Sequence, residues 1–484
     1  MSTPRPRRFT PVPGTGLDPS APDDDAVPSG PTPRPAARPH PGAAATGPWS
    51  PASTWQNWGR TQTAHPVGTA RPTDVGALQD VLTTARDQGL SVRPVGSGHS
   101  FTGIAVATGV QLDLGALAGL REVDTMTGLA TFGAGTRLAD IPALLAPYGL
   151  AMENLGDVDR QTLAGATSTG THGTGARFGG ISTQIRRVRL VTVDGQDLTV
   201  SPDENATWWG AVQLGLGALG VLTEITLQCV PAFTMHAVEA AAPFAEVLET
   251  WEQRVTGADH FEFYWFPGTD VASTKTNHRL PGGTPLRPRG ALTRWVDEDL
   301  VANGLYRGIC ALGSRVRAVV PPANALAARL MARNDYVEPS HQVFVASRNV
   351  RFREMEFAVP RAAVPDVVRE LADLVRRRDL RISFPVEVRS AAADDLWLST
   401  AHGRDSGYVA VHQYYREDPR TFFRAAQDIF RAHEGRPHWG KMHTLGADTF
   451  AEIYPRFGDF VALRDDLDPE RTLANPYLER VLGR

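Results

Sequence analysis

The amino-acid sequence predicts an α+β protein of two domains, and three observations support this prediction. The chain has 484 residues, 42% of them hydrophobic, which is enough to bury a large core and to form two or three domains. Up to about residue 232, short strand and helix patterns mix without a repeated unit. Beyond it, a strand–helix–strand order occurs twice, which is typical of an antiparallel sheet with helices on one face.

The first 50 residues are predicted to form a disordered tail. They are rich in Pro, Ala and Gly and contain almost no large apolar side chains, so burial could not offset the entropy lost on ordering them. The basic start at Arg7 and Arg8 is not followed by an apolar segment, so we do not expect a signal peptide. The folded part is expected to begin at Trp55.

The first domain is predicted over residues 55–232. Its first helix has apolar residues on one face, and Thr73 and Gly89 are expected to cap its two ends. A buried strand over 91–95 then runs directly into the loop GSGHSF. The remaining predicted elements are a strand near 112–114, a strand pair within 121–133, a helix over 138–148 capped by Thr136, a Gly-rich tract over 154–182, and a hairpin that turns at Asp194-Gly195.

The second domain is predicted over residues 233–484 and is expected to cover the first. Four strand patterns, HFEFYWF, MEFAV, FPVEVR and YVAVHQYY, occur there, together with helices over 364–378 and near 422–432. No element is predicted for the Arg-, Pro- and Ala-rich stretch from about 280 to 345.

Composition argues against several classes of protein. The formal charge is −4 with no long block of one sign, so nucleic-acid binding is not expected. Two cysteines, Cys229 and Cys310, are too few for a disulfide framework or a four-cysteine zinc site, and there is no HExxH motif, so no metal site is expected. The longest apolar stretch, 208–222, is too short and too interrupted for a membrane span. We therefore expect a cytoplasmic protein.

The loop GSGHSF at 96–101 is a candidate phosphate cradle, because glycines let backbone N–H groups approach an anion. Phe101 stands where a dinucleotide fingerprint needs its third glycine, and the loop has no lysine for a nucleoside-triphosphate motif. His99 could bond to a cofactor or simply cap the turn. A second Gly- and Thr-rich tract from Gly165 to Gly175 contains His172. Two such tracts suit one long anionic cofactor lying between them.

Two later segments carry candidate site residues with two interpretations each. Glu387 and Arg389 are two positions apart, so on a strand they share a face; this is either an ion pair on a solvated sheet or a pair of site residues. The segment HWGK, which ends at Lys441, could lie at the surface or in a site. Neighbouring His433 and His443 suggest a metal, but their spacing does not match a zinc ligand set.

These segments together resemble those of the vanillyl-alcohol-oxidase-type flavoproteins. The stretch VRPVGSGHSFTGIAVATGVQLDL, followed in order by NLGDV, STGTHGTG, WFP and RPHWGKMH, is similar to the aldonolactone oxidase group, which includes arabinono-lactone, gulono-lactone and alditol oxidases. The resemblance covers about residues 55–484. It implies a PCMH-type FAD-binding domain over 55–232 and a ferredoxin-like antiparallel-sheet cap domain over 233–484, whose C-terminal segment returns to the flavin.

The resemblance also implies a cofactor and its ligands. It predicts FAD bonded covalently to His99, a link expected to raise the flavin potential and prevent loss of the cofactor. The other residues that it implies for the cofactor are Gly96, Ser97, Gly98, Ser100, Phe101, Gly156, Ser168, Thr169, Gly170, Thr171, His172, Gly173 and Val221.

The implied reaction removes a hydride from a CH–OH carbon of a sugar lactone or polyol to the flavin, and O₂ then gives H₂O₂. Lys441 and Arg389 would supply positive charge, while Glu387 and Thr162 would orient hydroxyls; whether Glu387 or Lys441 accepts the proton is left open. Tyr414 stands where the alditol oxidases have a threonine, which favours a lactone over a linear polyol. The alternatives are a dehydrogenase with an acceptor other than oxygen and a flavin-binding protein without turnover.

Overall fold

The computed structural model of the chain describes residues 46–290, 306–330, 333–346 and 350–484. Most of the predicted tail, residues 1–45, and part of the unassigned stretch from 280 to 345 lie outside the described residues. The tail prediction extended too far, because Ser50–Pro51 forms a short strand that pairs antiparallel with Gly68 and Thr69. Main-chain pairing with residues 68 and 69 therefore orders Ser50, which composition alone assigned to the tail.

The first sheet has four short strands and delivers the Gly-rich loop. Its strand order is Ser50–Pro51, Gly68–Ala70, Val110–Leu112 and Val92–Pro94, and the last three run parallel. Helix Val75–Asp87 packs its apolar face on this sheet. Its N-cap is Asp74 and not Thr73: the Asp74 carboxylate accepts the Ala77 N–H at 2.9 Å, and Thr73 donates its hydroxyl to Asp74 instead.

The second sheet has six strands. They are Asp197–Val200, Ile185–Val191, Val221–Pro231, Leu129–Gly133 and Leu120–Asp124 in spatial order, with Leu150–Met152 also on Val221–Pro231. The predicted strand pair and hairpin are confirmed. The predicted helix over 138–148 is shorter, Ile141–Leu145 plus a 3₁₀ turn, and Thr136 does not cap it because its hydroxyl donates to the Gly133 carbonyl.

The third sheet has eight strands, all antiparallel to their neighbours. In spatial order they are Asn334–Pro339, Thr234–Pro243, Val271–Leu280, His260–Trp265, Val386–Ala391, Ser406–Tyr414, Phe352–Pro360 and Arg436–Pro437. All four strand patterns predicted for the second half are present, and the two predicted helices are Val364–Arg377 and Arg420–Ala432. The α+β prediction is confirmed. The second sheet ends at Pro231 and this sheet begins at Thr234, on either side of the proposed domain boundary.

Side chains alternate strictly across the third sheet. On strand Phe352–Pro360, Met355 and Phe357 point into a core that contains the two helices, and Phe357 stacks on Phe430 at 5.0 Å. Glu354 and Glu356 occupy the opposite face and register with His412 and Ala410. One face of the sheet is therefore apolar and packed on helices, and the other is polar and buried against the first half of the chain.

Shorter helices complete the described structure. They are Leu163–Thr169, Trp209–Val212, Phe244–Glu249, Trp251–Gly257, Tyr306–Gly313, Val320–Leu330, Ser340–Phe344, Ala447–Ile453, Phe457–Leu467 and Pro476–Leu482. Among the described residues, none of the helices has the length and apolar character needed to cross a bilayer. The C-terminal segment returns to the first sheet, where Val92 donates its N–H to the Thr472 carbonyl at 2.7 Å.

Candidate active site

Two cavities adjoin one another between the Gly-rich loop and the third sheet. The larger, of 620 Å³, lies against the polar face of the sheet and is called the sheet cavity. The smaller, of 570 Å³, lies among loops of the first half of the chain and is called the loop cavity. His99, Ser100, Gln161 and Thr169 line both, so the two cavities meet at the Gly-rich loop.

Main-chain hydrogen bonds fix the Gly-rich loop on both sides. The Trp58 N–H donates to the Gly98 carbonyl at 2.8 Å, and Gly98 has a φ of +67°, which a residue with a side chain rarely adopts. From the C-terminal segment, Gly440 accepts the Phe101 N–H at 2.6 Å. The loop therefore connects the first sheet to the HWGK segment.

The loop cavity fits a long anionic cofactor. A Cβ on Gly96 would lie 2.5 Å from the Thr162 hydroxyl, so the wall at this point requires a glycine. Arg137 donates to the Ser97 hydroxyl at 3.3 Å and adds positive charge beside the cradle. Since this cavity continues past His99 into the sheet cavity, a nucleotide could occupy one and a reacting ring the other.

His99 stands at the junction in a neutral form. Burial, followed by the positive charges of Lys441, Arg160 and Arg137, lowers the pKa of its ring to about 4. The ring stacks on Trp58 with centroids 5.6 Å apart. A neutral imidazole keeps one nitrogen lone pair, which is the state needed for a bond between nitrogen and carbon.

Arg389 is enclosed by three carboxylates, which we call the Arg389 cage: Asp157, Glu262 and Glu387. Glu262 accepts from its Nε at 2.9 Å, Asp157 Oδ2 lies 3.3 Å from its Nη2, and Glu387 pairs closely with the same Nη2. Burial alone would lower the pKa of Arg389, but Asp157, Glu387 and Glu262 raise it well above its ordinary value. The pair on FPVEVR is therefore a buried ion pair that lines the sheet cavity and not an ion pair on a solvated surface.

Lys441 faces the same cavity as a fixed cation. Its Nζ lies 2.5 Å from Glu354 Oε2, and His412 Nε2 lies 3.6 Å from the other oxygen of Glu354. Burial would lower the pKa of Lys441, but Glu354 and Glu356 raise it. Likewise burial would raise the pKa of Glu354, but Lys441 and His412 lower it to about 2. The carboxylates of Glu354 and Glu356 therefore favour the protonated form of Lys441.

Three buried groups, His172, Glu356 and His438, have potential metal-ligand atoms within 4.8 Å of one another. His172 places Nε2 3.2 Å from Glu356 and Nδ1 2.8 Å from the Gly173 carbonyl. Burial lowers the pKa of His438 to about 4, so its ring is neutral, and its Nδ1 accepts the Gly440 N–H at 3.0 Å. The ring proton of His438 then sits on Nε2. Hydrogen bonds therefore engage both His172 and His438 in this cluster.

Most of the predicted site residues line the two cavities. Those on the sheet cavity are His99, Ser100, Phe101, Gly156, Thr169, Thr171, His172, Glu387, Arg389 and Lys441. Those on the loop cavity also include Gly96, Ser97, Gly98, Thr162 and Ser168.

Three predicted cofactor residues line neither cavity. Gly170, with a φ of +78°, ends helix Leu163–Thr169, and a side chain on Gly173 would collide with the Leu155 carbonyl. Val221 is fully buried in an apolar cluster. Its neighbours Gly220 and Leu222 line the loop cavity instead, because successive strand residues point to opposite faces.

One further interpretation stays a prediction and one is corrected. Thr162 lines the loop cavity, and its hydroxyl accepts the Gly165 N–H at 3.2 Å as a helix N-cap; its role in orienting a substrate hydroxyl stays a prediction. Tyr414 is 4% exposed and packs with Phe101 and Phe352 in an apolar cluster, so it is not a wall of the sheet cavity and no longer argues for a lactone.

Sequence reasoning missed the partners of the predicted pair and of Lys441. Five side chains that were not predicted form ion pairs or close polar contacts in the site: Asp157, Glu262, Glu354, Glu356 and His412. Two features of the sequence could have indicated these residues. The segment EMEFAV has carboxylates at alternate positions and is otherwise apolar, and lysine is scarce in the chain. Lys441 is one of only two lysines in the chain.

The fold and the joined cavities define a flavoprotein oxidoreductase. Residues 66–201 match the model of an FAD-binding domain, so FAD is the cofactor. Residues 225–481 match the D-arabinono-1,4-lactone oxidase model, and the chain belongs to that family.

Relatives extend over almost the whole described chain. An L-gulono-1,4-lactone dehydrogenase of Mycobacterium tuberculosis is 44% identical over 89% of this chain and 99% of its own length. L-gulonolactone oxidase of Bos taurus is 31% identical over 88% of this chain and 98% of its own. A solved structure of cholesterol oxidase from B. sterolicum has a TM-score of 0.72 at 17% identity, covering 89% and 96% of the two chains. This last likeness concerns the fold alone.

Proposed function

We propose that the protein oxidises a CH–OH group of a sugar lactone, with FAD as the hydride acceptor. The observation that carries this proposal is the sheet cavity, where Glu387, Arg389 and Lys441 face the same space as His99. Charged groups held in a buried site can orient hydroxyls and stabilise charge that develops during the reaction. The names of the mycobacterial and bovine relatives support a lactone as the substrate.

Each charged side chain has a distinct task in this proposal. Bound FAD supplies a ring that accepts the hydride. Glu387 accepts the proton of the substrate hydroxyl, since Lys441 is already protonated and Arg389 cannot accept one. Tyr264 donates to Glu387 at 3.1 Å and, together with Arg389, fixes the orientation of the carboxylate. Lys441 stabilises the negative charge that develops on the substrate oxygen.

We further propose that FAD is bonded to His99. The neutral ring at the junction of the two cavities supports this, as does its stacking on Trp58, which holds the imidazole in one orientation. Glu387, Arg389 and Lys441 together form the catalytic set, which argues against a flavin-binding protein without turnover.

For the electron acceptor we propose a compound other than O₂. The relative at 44% identity is a dehydrogenase, whereas the relative at 31% is an oxidase. The oxidase is the second candidate, favoured by the description of the family.

Steady-state assays with a panel of aldonolactones and alditols test substrate and acceptor together. Under air, we expect rapid reduction of an artificial electron-accepting dye with a lactone and little H₂O₂. Equal rates of lactone consumption and H₂O₂ release without dye would show that the oxidase interpretation is right. A preference for alditols would contradict the proposed substrate.

A further inference from the structure

We propose that the Arg389 cage restricts the site to the closed, uncharged lactone and rejects the aldonate formed when the lactone hydrolyses. Asp157 is the specificity-determining residue in this proposal. The inference rests on the proposed function, since it concerns the form of the substrate that the same cavity accepts.

The bonding of Arg389 is the first argument. A free guanidinium binds a carboxylate through two parallel N–H donors. Here Glu262 takes the Nε donor at 2.9 Å, while Asp157 reaches Nη1 at 3.4 Å and Nη2 at 3.3 Å. Glu387 also pairs with Nη2. Arg389 is 7% exposed, so an incoming carboxylate would have to displace a protein carboxylate to bind it.

The charge of the wall is the second argument. Lys441, which also lines the sheet cavity, lies 2.5 Å from Glu354. The two remaining cations of this cavity, Arg160 and Arg289, also have acidic neighbours, Asp159 at 3.8 Å and Glu338 at 3.7 Å. Within the described residues, every lysine and arginine that lines the sheet cavity therefore has a carboxylate within 4.0 Å.

Such a wall favours hydroxyl groups over anions. Hydroxyls of a neutral sugar can donate to Glu387 and Asp157, which accept only. A substrate carboxylate offers no donor and is repelled by the surplus of carboxylates in a medium of low dielectric constant. The three cage carboxylates outnumber the single guanidinium that they surround.

The distinction matters because both forms coexist in water. Water adds to the lactone carbonyl, the ring C–O bond breaks, and the resulting acid releases a proton to give the aldonate anion. The broken C–O bond leaves a new hydroxyl at the former ring oxygen, so the aldonate differs from the lactone by one added water molecule, one released proton and therefore one negative charge, and it keeps all the hydroxyls of the lactone. Electrostatic selection is therefore a direct way to separate them.

Asp157 is the best residue to test because it comes from a different part of the chain than its cage partners. It lies in the loop after strand Leu150–Met152, and its carbonyl accepts the Ala346 N–H at 3.0 Å, so the backbone stays fixed. Asp157→Asn keeps the size of the side chain and removes its charge. Asp159→Asn is the matched control: the same change on the same cavity, next to the exposed Arg160 and away from Arg389.

The experiment measures aldonate binding to the FAD-loaded protein by perturbation of the flavin spectrum, and lactone KM for comparison. For the wild type we expect the aldonate Kd to exceed the lactone KM by at least about tenfold. Asp157→Asn should tighten aldonate binding by about tenfold, and Asp159→Asn by less than about twofold.

Two results would overturn the inference: an aldonate that binds the wild type as tightly as the lactone, or equal shifts in both variants. If Asp157→Asn fails to fold or to retain FAD, Glu262→Gln carries the same expectation and the same criterion. Failure of the proposed function is distinguishable, because then no lactone would reduce the flavin, whereas aldonate binding is read without turnover.

Discussion

At the scale of single residues, the choice of lysine at position 441 stands out. The chain has 49 basic residues besides histidine, and only Lys275 and Lys441 are lysines. A lysine offers a compact point charge, whereas an arginine presents a planar fork. Beside Glu354, the compact ammonium fits against the Gly-rich loop, with Nζ 5.5 Å from the centre of the Phe101 ring.

Replacing this charge should slow the reaction strongly. Lys441→Met removes the cation that stabilises the substrate oxygen, and we expect the rate constant for flavin reduction to fall by about 100-fold. Lys275→Met is the control for loss of a lysine, since Lys275 does not line the sheet cavity and donates to the Val343 carbonyl at 2.6 Å. Stopped-flow reduction without oxygen measures both. Equal rates in wild type and Lys441→Met would mean that Lys441 has no catalytic role.

The proposed covalent bond belongs to the same scale. His99→Ala should release FAD into the supernatant on acid precipitation, while the wild type keeps it in the pellet. His341→Ala, which removes another imidazole that lines the sheet cavity, should behave as the wild type does. Flavin that stays with denatured His99→Ala would place the bond on another residue, and flavin released from the denatured wild type would exclude a covalent bond.

At the scale of elements, the alternation of side chains along strands predicted that the charged pair on FPVEVR shares a face. The start of helix Leu163–Thr169 was not predicted. The alternation of FPVEVR correctly placed Glu387 and Arg389 on one face, and the same rule applied to REMEFAV would have found Glu354 and Glu356. The sequence did not reveal that Thr162 caps helix Leu163–Thr169 beside the loop cavity. Asp157 could not be predicted at all, since its partner Arg389 lies far along the chain.

The close approach of the Gly-rich loop to helix Leu163–Thr169 gives an element-scale prediction. In Gly96→Ala, the new methyl would lie 2.5 Å from the Thr162 hydroxyl, so FAD content after purification should drop strongly. All three nearest atoms belong to the Thr162 side chain, so Gly96→Ala/Thr162→Ala should recover much of the FAD.

Gly458→Ala is the control for this pair, because a Cβ there meets open space within helix Phe457–Leu467 and should leave FAD content unchanged. A Gly96→Ala protein with full FAD content, or a double variant no better than the single one, would contradict the described packing.

At the scale of the whole molecule, the order of the strands depends on pairing between segments that are distant in sequence, and local patterns do not predict it. The α+β class, the repeated strand–helix–strand order and the position of the Gly-rich loop follow from local patterns and from resemblance. The order of the eight strands does not, because Val386–Ala391 lies between strands that are distant from each other in sequence. Strand Asn334–Pro339 was also missed: its charged and proline residues hide a pattern that pairing with Thr234–Pro243 stabilises.

Buried neutral histidines make the folded chain sensitive to acid. Burial, followed by Arg480 and His438, lowers the pKa of His443 to about 3, whereas an unfolded histidine titrates at about 6.5. Below about pH 6.5 the unfolded state therefore binds the extra proton, and the free energy of unfolding falls as pH falls, by about 1.4 kcal/mol per pH unit for this group. The loss continues down to the folded pKa.

His443→Gln should remove this contribution. Glutamine can still hydrogen-bond to Tyr477, which lies 3.0 Å from His443 Nε2, but it does not titrate. The Tm difference between wild type and variant should therefore narrow as pH falls from about 7 to about 5. His65→Gln, which changes an exposed histidine, serves as the control, and its Tm difference from the wild type should stay constant over this pH range. If the Tm difference for His443→Gln also stayed constant, His443 would not be a source of the acid sensitivity.

The central claim is that a sugar lactone enters the sheet cavity and reduces FAD held at His99. Anaerobic mixing of the purified, FAD-containing protein with a panel of aldonolactones tests it most directly, because the flavin absorbance reports the hydride transfer itself without any electron acceptor. We expect complete bleaching by at least one lactone, with a rate that saturates as the lactone concentration rises. A protein that remains yellow with every lactone and alditol, or one that binds no FAD, would contradict it.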